Sequence, residues 1–340
     1  MKFHKPLWEE GVLLSPQHFQ QQNIFNSYIY SVLIKLMGEF KWGCFRCEFD
    51  QQTLELGKIK LDELQACLPD GTLIDLQSGS GSVEVRDINS LPMRARNTVL
   101  LALPVYQAHV PNLVDENGAG NTPRRFVKKF EQVEDLFSAE EAELAVEQLN
   151  LQIRFDFEDN DDYITCPIGV VEKNENGALI WSKDYIPPLL SITGSEVLLS
   201  CLNRITLLVL SRIDNLSARR RARSENTVDF SVSDSTLFWF LHGLNTIYPE
   251  LKHLNDYPQQ HPEELYKLLV RLLGMLYTFR VSESVNEMEP YDHFDLFGTF
   301  NRLELKIRSL LDEVIPSPVI ELSLEHTKST HWRAQIFDSR

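Results

Sequence analysis

The order of apolar and polar positions divides the chain into four segments. A short apolar stretch runs into a helical pattern, short β-type runs follow to about residue 190, long helical patterns continue to about residue 314, and β texture then returns. Short strands joined by turns predict an antiparallel sandwich or barrel, of which we expect the sandwich, and long helices with short connections predict an antiparallel bundle. The fold class is therefore α+β. We expect a docking arm over 1–15, a β-rich domain over 16–190, a helical bundle over 191–316, and the start of an incomplete β domain over 317–340.

The first helix is predicted from residue 16 to about residue 36. Ser15 suits its N-cap, Pro16 suits its first turn, and Gly38 suits its C-terminal cap. Six apolar residues share one helical face and three more lie off it: Ile24, Tyr28, Ile29, Val32, Leu33 and Leu36, then Phe25, Tyr30 and Ile34. We expect burial on more than one side, because this apolar surface is broad.

An apolar arm precedes this helix, with Leu7, Trp8, Val12, Leu13 and Leu14 close together. A chain terminus normally frays unless something holds it. Apolar side chains of this size are costly to leave in water. We therefore expect the arm to be docked, on its own fold, on a second copy of the chain or on a partner protein.

Between residues 42 and 190, runs rich in β-branched and aromatic residues predict nine strands. They are 43–50, 53–61, 64–68, 72–76, 83–85, 98–106, 149–157, 163–172 and 179–182. The turn signals D-G at 70–71 and N-E-N-G at 174–177 predict hairpins. Residues 107–123 predict a mobile loop. Residues 138–148 predict a short acidic helix, with Ser138 as its cap and Glu141 at the capping-box position.

Four long helices are predicted after the proline pair at 187–188. They cover about 195–223, about 233–254, a third that opens at Pro262 and extends to about residue 276, and about 294–314. In the first of them, Leu198, Leu202, Ile205, Val209 and Leu216 are spaced as a heptad seam. Two final strands are predicted at 319–324 and 332–336.

Composition limits the possible functions. The 340 residues carry a formal net charge of −16, and an acidic protein is a poor binder of nucleic acid or anionic membranes. No signal peptide and no stretch long enough to span a membrane is apparent. The cysteines are few and odd in number: Cys44, Cys47, Cys67, Cys166 and Cys201. They fit free thiols in a reducing cytoplasm better than a disulfide framework.

The strongest candidate for chemistry is the C-x-x-C pair of Cys44 and Cys47. It lies in a predicted strand, where positions three apart face opposite sides, so we expect packed and inert thiols. His326 and His331 with Glu325 could be imagined as metal ligands, although a surface turn is favoured. No phosphate-loop, serine-hydrolase or zinc-protease motif occurs. The sequence indicates no catalytic residue, no metal and no cofactor.

Two runs in the predicted bundle are candidates for contact. The run R-R-R-A-R at 219–223 closes the first bundle helix, where positive charge is favourable at the negative helix end. We favour a role of these arginines in stabilising the helix end over a role as a docking site for an acidic partner. The run F-W-F at 238–240 places three rings on successive positions of one helix, where their side chains point in three directions. At least one ring should therefore lie outside the local core. We expect this bundle to pack against copies of itself.

Several motifs resemble the TssK family of type VI secretion baseplate subunits. The start of the chain, P-L-W-x-E-G-x-x-L-x-P-Q-x-F-Q-Q-Q at 6–22, is similar to the start of that family. Further similar motifs are L-P-D-G-T-L-I-D at 68–75, T-C-P at 165–167, Y-I-P-P-L-L at 185–190, A-R-R-R at 218–221, S-T-L-F-W-F-L at 235–241 and H-P-E-E-L-Y at 261–266. The resemblance therefore covers nearly the whole chain.

The resemblance implies an N-terminal β shell, a helical neck, a homotrimer and no enzymatic activity. The family's fold is related to the receptor-binding proteins of contractile phage tails. In the family, the shell attaches to the TssF/TssG wedge, and a C-terminal head contacts the membrane complex of TssJ, TssL and TssM. That head is almost entirely missing from the 340 residues, and we expect a truncated chain. We expect a cytoplasmic protein assembled at the inner face of the cytoplasmic membrane, without insertion into it.

We predict a non-enzymatic trimeric adaptor of the secretion baseplate. The expected partner-binding residues are Leu7, Trp8, Glu10, Val12, Leu14, Gln17 and Phe19. The expected oligomerisation residues are Leu202, Ile205, Val209, Phe238 and Trp239. Two alternatives stay open: a cytosolic thiol oxidoreductase that uses Cys44 and Cys47, and a component of a contractile phage tail.

Overall fold

The computed structural model describes residues 4–76, 83–114, 123–224, 232–280, 284–312, 325–328 and 331–333. The chain forms two compact units. The first contains Met1–Leu202, Leu254–Lys267 and Glu289–Arg302, and the second contains Asn203–His253, Leu268–Met288 and Leu303–Arg340.

The first helix, α1 (Pro16–Met37), begins and ends where the sequence predicts. The Nδ1 atom of His18 accepts hydrogen bonds from the backbone N–H of Ser15 at 3.3 Å and from its hydroxyl at 2.9 Å. Gly38 follows the last turn with a φ of 147°. No residue of α1 is buried, so the expectation of burial on more than one side is wrong for the single chain. The broad apolar surface of α1 indicates that other side chains should pack on it, and the described part of this chain does not bury it.

Antiparallel sheets form the β region, as predicted. One sheet has the order β1-β3-β4, from β1 (Gly43–Phe49), β3 (Leu61–Cys67) and β4 (Leu73–Leu76). The other has the order β11-β10-β6-β9, from β6 (Arg96–Pro104), β9 (Gln152–Phe155), β10 (Tyr163–Lys173) and β11 (Leu179–Trp181). The two sheets meet where Phe49 stacks on Trp181 at 3.9 Å. Both predicted hairpins are confirmed, since β3 pairs with β4 and β10 pairs with β11.

Two predicted strands are wrong in their bounds. The run 53–61 contains the short helix α2 (Gln51–Glu55) and only then β2 (Lys58–Ile59). Asp50 caps α2, because its carboxylate accepts from the N–H groups of Gln52 at 2.9 Å and Thr53 at 3.3 Å. The strand predicted at 83–85 lies further along as β5 (Arg86–Asp87), which pairs with β2.

The predicted acidic helix at 138–148 is also wrong. Its residues form the strand β8 (Glu141–Leu149), which pairs over nine residues with β7 (Phe126–Glu134), a strand that the sequence pattern did not predict. Alanine and glutamate favour helix in isolation, but pairing with β7 overrides that weak local preference. Of the predicted loop, residues 107–114 and 123 are described, and these contain no helix or strand apart from a bridge between Leu113 and Phe126.

The four predicted bundle helices are confirmed. They are α3 (Glu196–Ser224), α4 (Val232–Asp256), α5 (Pro262–Tyr277) and α6 (Leu296–Asp312). In the second unit, α4 and α5 run antiparallel, because Gly243 lies against Met275 while Glu250 pairs with Arg271 at 2.7 Å. Aliphatic side chains from all four helices are buried in this unit, including Val209, Leu244, Leu272 and Ile307.

The last described strands are β12 (Glu325–Lys328) and β13 (His331–Arg333), which pair antiparallel. The predicted strand at 319–324 lies outside the described residues, and so do residues 334–336 of the second one. The backbone places His326 opposite Trp332. Residues 325–328, which the sequence placed in the polar turn between the two strands, therefore form a strand themselves.

Candidate partner-binding surface

The N-terminal arm folds back along the first turns of α1. The Nε2 atom of Gln21 donates to the backbone oxygen of His4 at 2.9 Å. The ring of Trp8 lies 5.9 Å from that of His18 and 6.4 Å from that of Phe19, between centroids. Gly11 turns the backbone with a φ of 84°. The arm is therefore ordered, and its contacts are with its own helix.

The apolar side chains of the arm face solvent in the single chain. Trp8 is 49% exposed and Leu13 is 89% exposed, while Leu7, Leu14 and Phe19 are each more than half exposed. Glu10 and Gln17 are also exposed, and Val12 is half-buried. Of the three docking places that the sequence leaves open, the chain's own fold therefore covers the arm only in part. A second copy of the chain or a partner protein is left to cover the rest.

The helix α1 continues the same uncovered surface. Its exposed large side chains are Tyr28, Ile29, Tyr30, Leu33, Leu36 and Met37. We call residues 4–37 together the arm surface. Contiguous apolar surface of this kind marks an interaction site on a folded protein.

A close approach to the β3–β4 turn holds α1 in place. Gly71 has a φ of 88°, which favours glycine, and a Cβ atom there would lie 2.9 Å from the Cα of Ser31. Any larger residue would push the helix away from the turn. The D-G signal in the sequence therefore serves both the hairpin and the seating of the helix.

The chain that leaves α1 is held by two buried histidines. The Nε2 atom of His261 bonds to the backbone oxygen of Phe40 at 2.8 Å, and the Nε2 atom of His293 bonds to that of Trp42 at 2.8 Å. The two imidazole rings stack with centroids 5.4 Å apart. We call His261, His293 and Tyr291 the histidine cluster; the Tyr291 hydroxyl bonds to Nδ1 of His293 at 2.9 Å.

The histidine cluster is built for neutral imidazoles. Nδ1 of His261 accepts from the N–H of Glu263 at 3.1 Å, so its other nitrogen is the protonated one. Burial lowers the pKa of His261 to about 4, helped by the positive charge of Lys41. Burial likewise lowers the pKa of His293. Sequence reasoning missed this cluster, because its members and their backbone partners Phe40 and Trp42 lie in three distant segments.

The expectation that Cys44 and Cys47 face opposite sides is wrong. In β1, Cys44 pairs with Ala66 and Cys47 pairs with Leu64, two positions along the same partner strand. Phe45 is the extra residue of a β-bulge, and a bulge shifts the alternation by one. The two thiols therefore share a face, and Cys44 forms hydrogen bonds with Cys47 and with Cys166 of β10.

The packing of these thiols opposes nucleophilic chemistry. Cys44 and Cys166 are fully buried, and Cys47 is half-buried. Hydrogen bonding with Cys44, together with burial, raises the pKa of Cys47 and of Cys166 well above the ordinary thiol value. The same hydrogen bonds lower the pKa of Cys44, but this thiol is fully buried, so a substrate cannot reach it. In the described part of the chain, no group of His, Cys, Asp and Glu side chains could hold a metal.

The expected oligomerisation residues separate into two groups. Leu202, Ile205 and Val209 are buried within the single chain. Phe238 and Trp239 are exposed, with Trp239 60% exposed, whereas Phe240 is buried. The guanidinium of Arg220 lies 5.3 Å above the ring of Phe238. The basic run and the aromatic run therefore meet at one exposed place on the second unit.

These features define a structural subunit of a larger assembly, with apolar surfaces left for other chains. Among the described helices, none has the length and apolarity needed to cross a membrane. The sequence model of the bacterial type VI secretion family that includes EvfL, ImpJ and VasE matches residues 18–340. The chain belongs to this family, and it is a TssK-family baseplate subunit.

Known relatives agree with this assignment. The chain is 27% identical over 325 residues to the type VI secretion system baseplate component TssK1 of Pseudomonas aeruginosa, covering 94% of this chain and 72% of that protein. Its fold matches a chain of the TssK-TssF-TssG baseplate subcomplex solved by cryo-electron microscopy, with a TM-score of 0.83, 32% identity, and coverage of 92% and 100%. A chain of a type VI baseplate complex matches with a TM-score of 0.87, 32% identity, and coverage of 96% and 73%.

Proposed function

We propose that this chain is a non-enzymatic, homotrimeric adaptor that binds the TssF/TssG wedge of a type VI secretion baseplate through its arm surface. The observation that carries the proposal is the uncovered apolar side of residues 4–37. The structure of a similar TssK protein in a subcomplex with TssF and TssG supports the choice of partner.

The free energy of burying apolar side chains favours an arm surface that is covered by a partner in the assembled baseplate. Burying one large apolar side chain is worth roughly 1.5–3 kcal/mol. The isolated chain lacks most of this stabilisation at four exposed side chains, which are Trp8, Leu13, Leu14 and Phe19. Because the arm is already ordered on α1, it would lose little conformational entropy when a partner binds it.

For the homotrimer, we propose contacts through the exposed rings of Phe238 and Trp239. The buried residues Leu202, Ile205 and Val209 stabilise each chain instead, since they have no surface to offer a copy. Aromatic side chains beside an arginine are a common composition for interface centres. Arg220 and its neighbours would then border the contact.

Contact with TssJ, TssL and TssM stays a prediction from the family resemblance. It is assigned to a head that follows residue 316, and most residues there lie outside the described ranges. We propose that the adaptor works in the cytoplasm, at the inner face of the cytoplasmic membrane, where that contact could form.

Deletion of residues 1–15 tests the proposed function. The variant and the wild-type chain are each co-expressed with the cognate TssF and TssG, and co-purification is compared. We expect a folded chain of unchanged oligomeric state that no longer retains the wedge. The matched control is Leu56→Ser, which removes an exposed apolar side chain of the first unit outside the arm surface.

Two results would count against the proposal. Full retention of the wedge by the deletion variant would remove the arm from the interface. Loss of the trimer by that variant, seen by light scattering, would show that a sister subunit covers the arm.

A further inference from the structure

The β7–β8 hairpin extends without cover from either side. Its nine residue pairs run from Phe126 with Leu149 to Glu134 with Glu141, and no residue of either strand is buried. Among the described strands, these two form a sheet of their own. Nine residues of strand span about 30 Å. Two strands alone are marginal in water, so a hairpin of this length indicates a partner.

The two faces of the hairpin differ in chemistry. Opposite residues share a face, so the register places Val127, Val133, Ala142, Leu144 and Val146 on one side, together with Lys129, Glu131 and Gln148. The other side carries Gln132, Glu134, Glu141, Glu143 and Glu147, with Phe130 beneath Lys128, and Phe126, Ala145 and Leu149. Acidic side chains are therefore concentrated on the second face, and the chain covers neither face.

The tip of the hairpin is an ordered turn that presents two apolar side chains. The Oδ1 atom of Asp135 accepts from the N–H groups of Phe137 and Ser138, each at 2.8 Å. The backbone N–H of Asp135 donates a hydrogen bond to the backbone oxygen of Glu140 at 2.8 Å, and this bond closes the turn. Leu136 is 98% exposed and Phe137 is 99% exposed. A fixed turn that holds two large apolar groups in solvent is preorganised for insertion into a pocket.

The charge of the hairpin indicates what kind of surface it meets. Residues 126–149 contain seven acidic side chains and two lysines, a net charge of −5. Glu134, Asp135, Glu140 and Glu141 surround the tip. The whole chain carries −16, so a second copy would on average repel this hairpin. A partner with basic residues around an apolar pocket would attract it.

We propose that Leu136 and Phe137 insert into an apolar pocket with a basic rim on another baseplate subunit, as a contact separate from the arm surface. The inference rests on the proposed function, because it takes the TssF–TssG wedge as the partner. The acidic side chains around the tip steer the approach, and the two apolar side chains supply the buried centre.

The test measures binding of the full chain to the purified cognate TssF–TssG complex. The double variant Leu136→Ser, Phe137→Ser should weaken binding at least tenfold, with unchanged thermal stability and unchanged oligomeric state. Stability should not change, because both side chains are fully exposed and leave the core untouched. Leu56→Ser is the control for loss of an exposed apolar side chain in the same unit.

A second variant tests the charge. Glu134→Gln, Glu140→Gln and Glu141→Gln together should weaken binding at low salt and reduce its salt dependence, because screening removes the same attraction. The tip variant should instead lose affinity at low and high salt alike. The difference in salt dependence between the two variants separates attraction by charge from binding through Leu136 and Phe137.

Three results would overturn the inference, and they are distinguishable. If the wild-type chain fails to bind the wedge, the proposed function fails and this contact fails with it. If wild type and tip variant bind equally while deletion of residues 1–15 abolishes binding, the function stands and the hairpin contact is wrong. If the tip variant changes the oligomeric state of the chain alone, the hairpin contacts a second copy.

Discussion

The strands β6 and β7 have the same length and both pair antiparallel, but their surroundings are opposite. Seven of the nine residues of β6 are buried, and none of the nine of β7 is. β6 lies between β10 and β9, whereas β7 pairs with β8 alone. The comparison shows that backbone hydrogen bonds between two strands are enough to form a regular hairpin. Burial of side chains decides which of these strands stabilise the fold.

The largest expected effect comes from placing a charge on each of these two strands. Leu101→Asp in β6 should cost at least about 4 kcal/mol of unfolding free energy, because an unpaired carboxylate would be buried. Val133→Asp in β7 should change it by less than about 0.5 kcal/mol. Denaturant unfolding measures both. Equal losses would show that the hairpin is covered by its own chain.

A second effect concerns pH and the histidine cluster. The pKa of His261 is about 4 in the fold and near 6.5 when unfolded, so the unfolded state binds the proton first as pH falls. Its stabilising contribution is complete above about pH 6.5 and disappears as pH falls through about 4, a change of about 3 kcal/mol. Unfolding free energies measured between about pH 7.5 and about pH 4.5 should show this slope.

Substitution identifies the source of that slope. His261→Asn should flatten the pH dependence, whereas His109→Asn, at an exposed position with a φ of 64°, should leave it as in the wild type. An unchanged slope in His261→Asn would assign the acid sensitivity to other groups. The cluster would then hold Phe40 and Trp42 without titrating.

A third, smaller effect is expected from the thiols. Cys44→Ala with Cys47→Ala should cost about 2 kcal/mol through the small cavities left in the core, with wedge binding unchanged. Cys201→Ala, a buried cysteine outside this group, is the control. A folded double variant that no longer supports secretion would give these thiols a functional role.

The smallest effect on stability is expected at the arm. Trp8→Ala should lower the unfolding free energy by less than about 1 kcal/mol, because the ring is half exposed and lies against His18 and Phe19 of the adjoining helix. The same change should weaken wedge binding at least tenfold, as expected for an aromatic side chain at an interface centre. Tyr257→Ala, also at an exposed aromatic residue, is the control. A stability loss of about 3–5 kcal/mol would mean that Trp8 is packed after all.

The long helices could be predicted from the sequence because a buried stripe repeats along each of them. Leu198, Leu202, Ile205, Val209 and Leu216 follow the heptad spacing, and all five are buried. Turn chemistry was equally informative at Asp70 and Gly71, where few residues adopt the required backbone.

The errors arose where distant pairing decides the structure. Residues 141–149 have helix-forming composition, and only their register with β7 makes them a strand. The bulge at Phe45 depends on how β1 meets β3, so no local pattern could place Cys44 and Cys47 on one face. His261 and His293 come together through contacts of three separate segments.

The arm residues show what a sequence indicates about a surface. Their apolar character predicted that something covers them, but it did not say whether the cover comes from the same chain. In the structure Leu7, Leu13 and Leu14 stay exposed, and this turns a statement about packing into a hypothesis about partners.

Hydrogen–deuterium exchange on the free chain and on its complex with TssF–TssG tests the central claim most directly. The account predicts new protection over residues 4–37 and over the hairpin 126–149 in the complex, with exchange in β6 unchanged because that strand is already buried. Protection confined to other parts of the chain, with residues 4–37 exchanging as in the free protein, would contradict it.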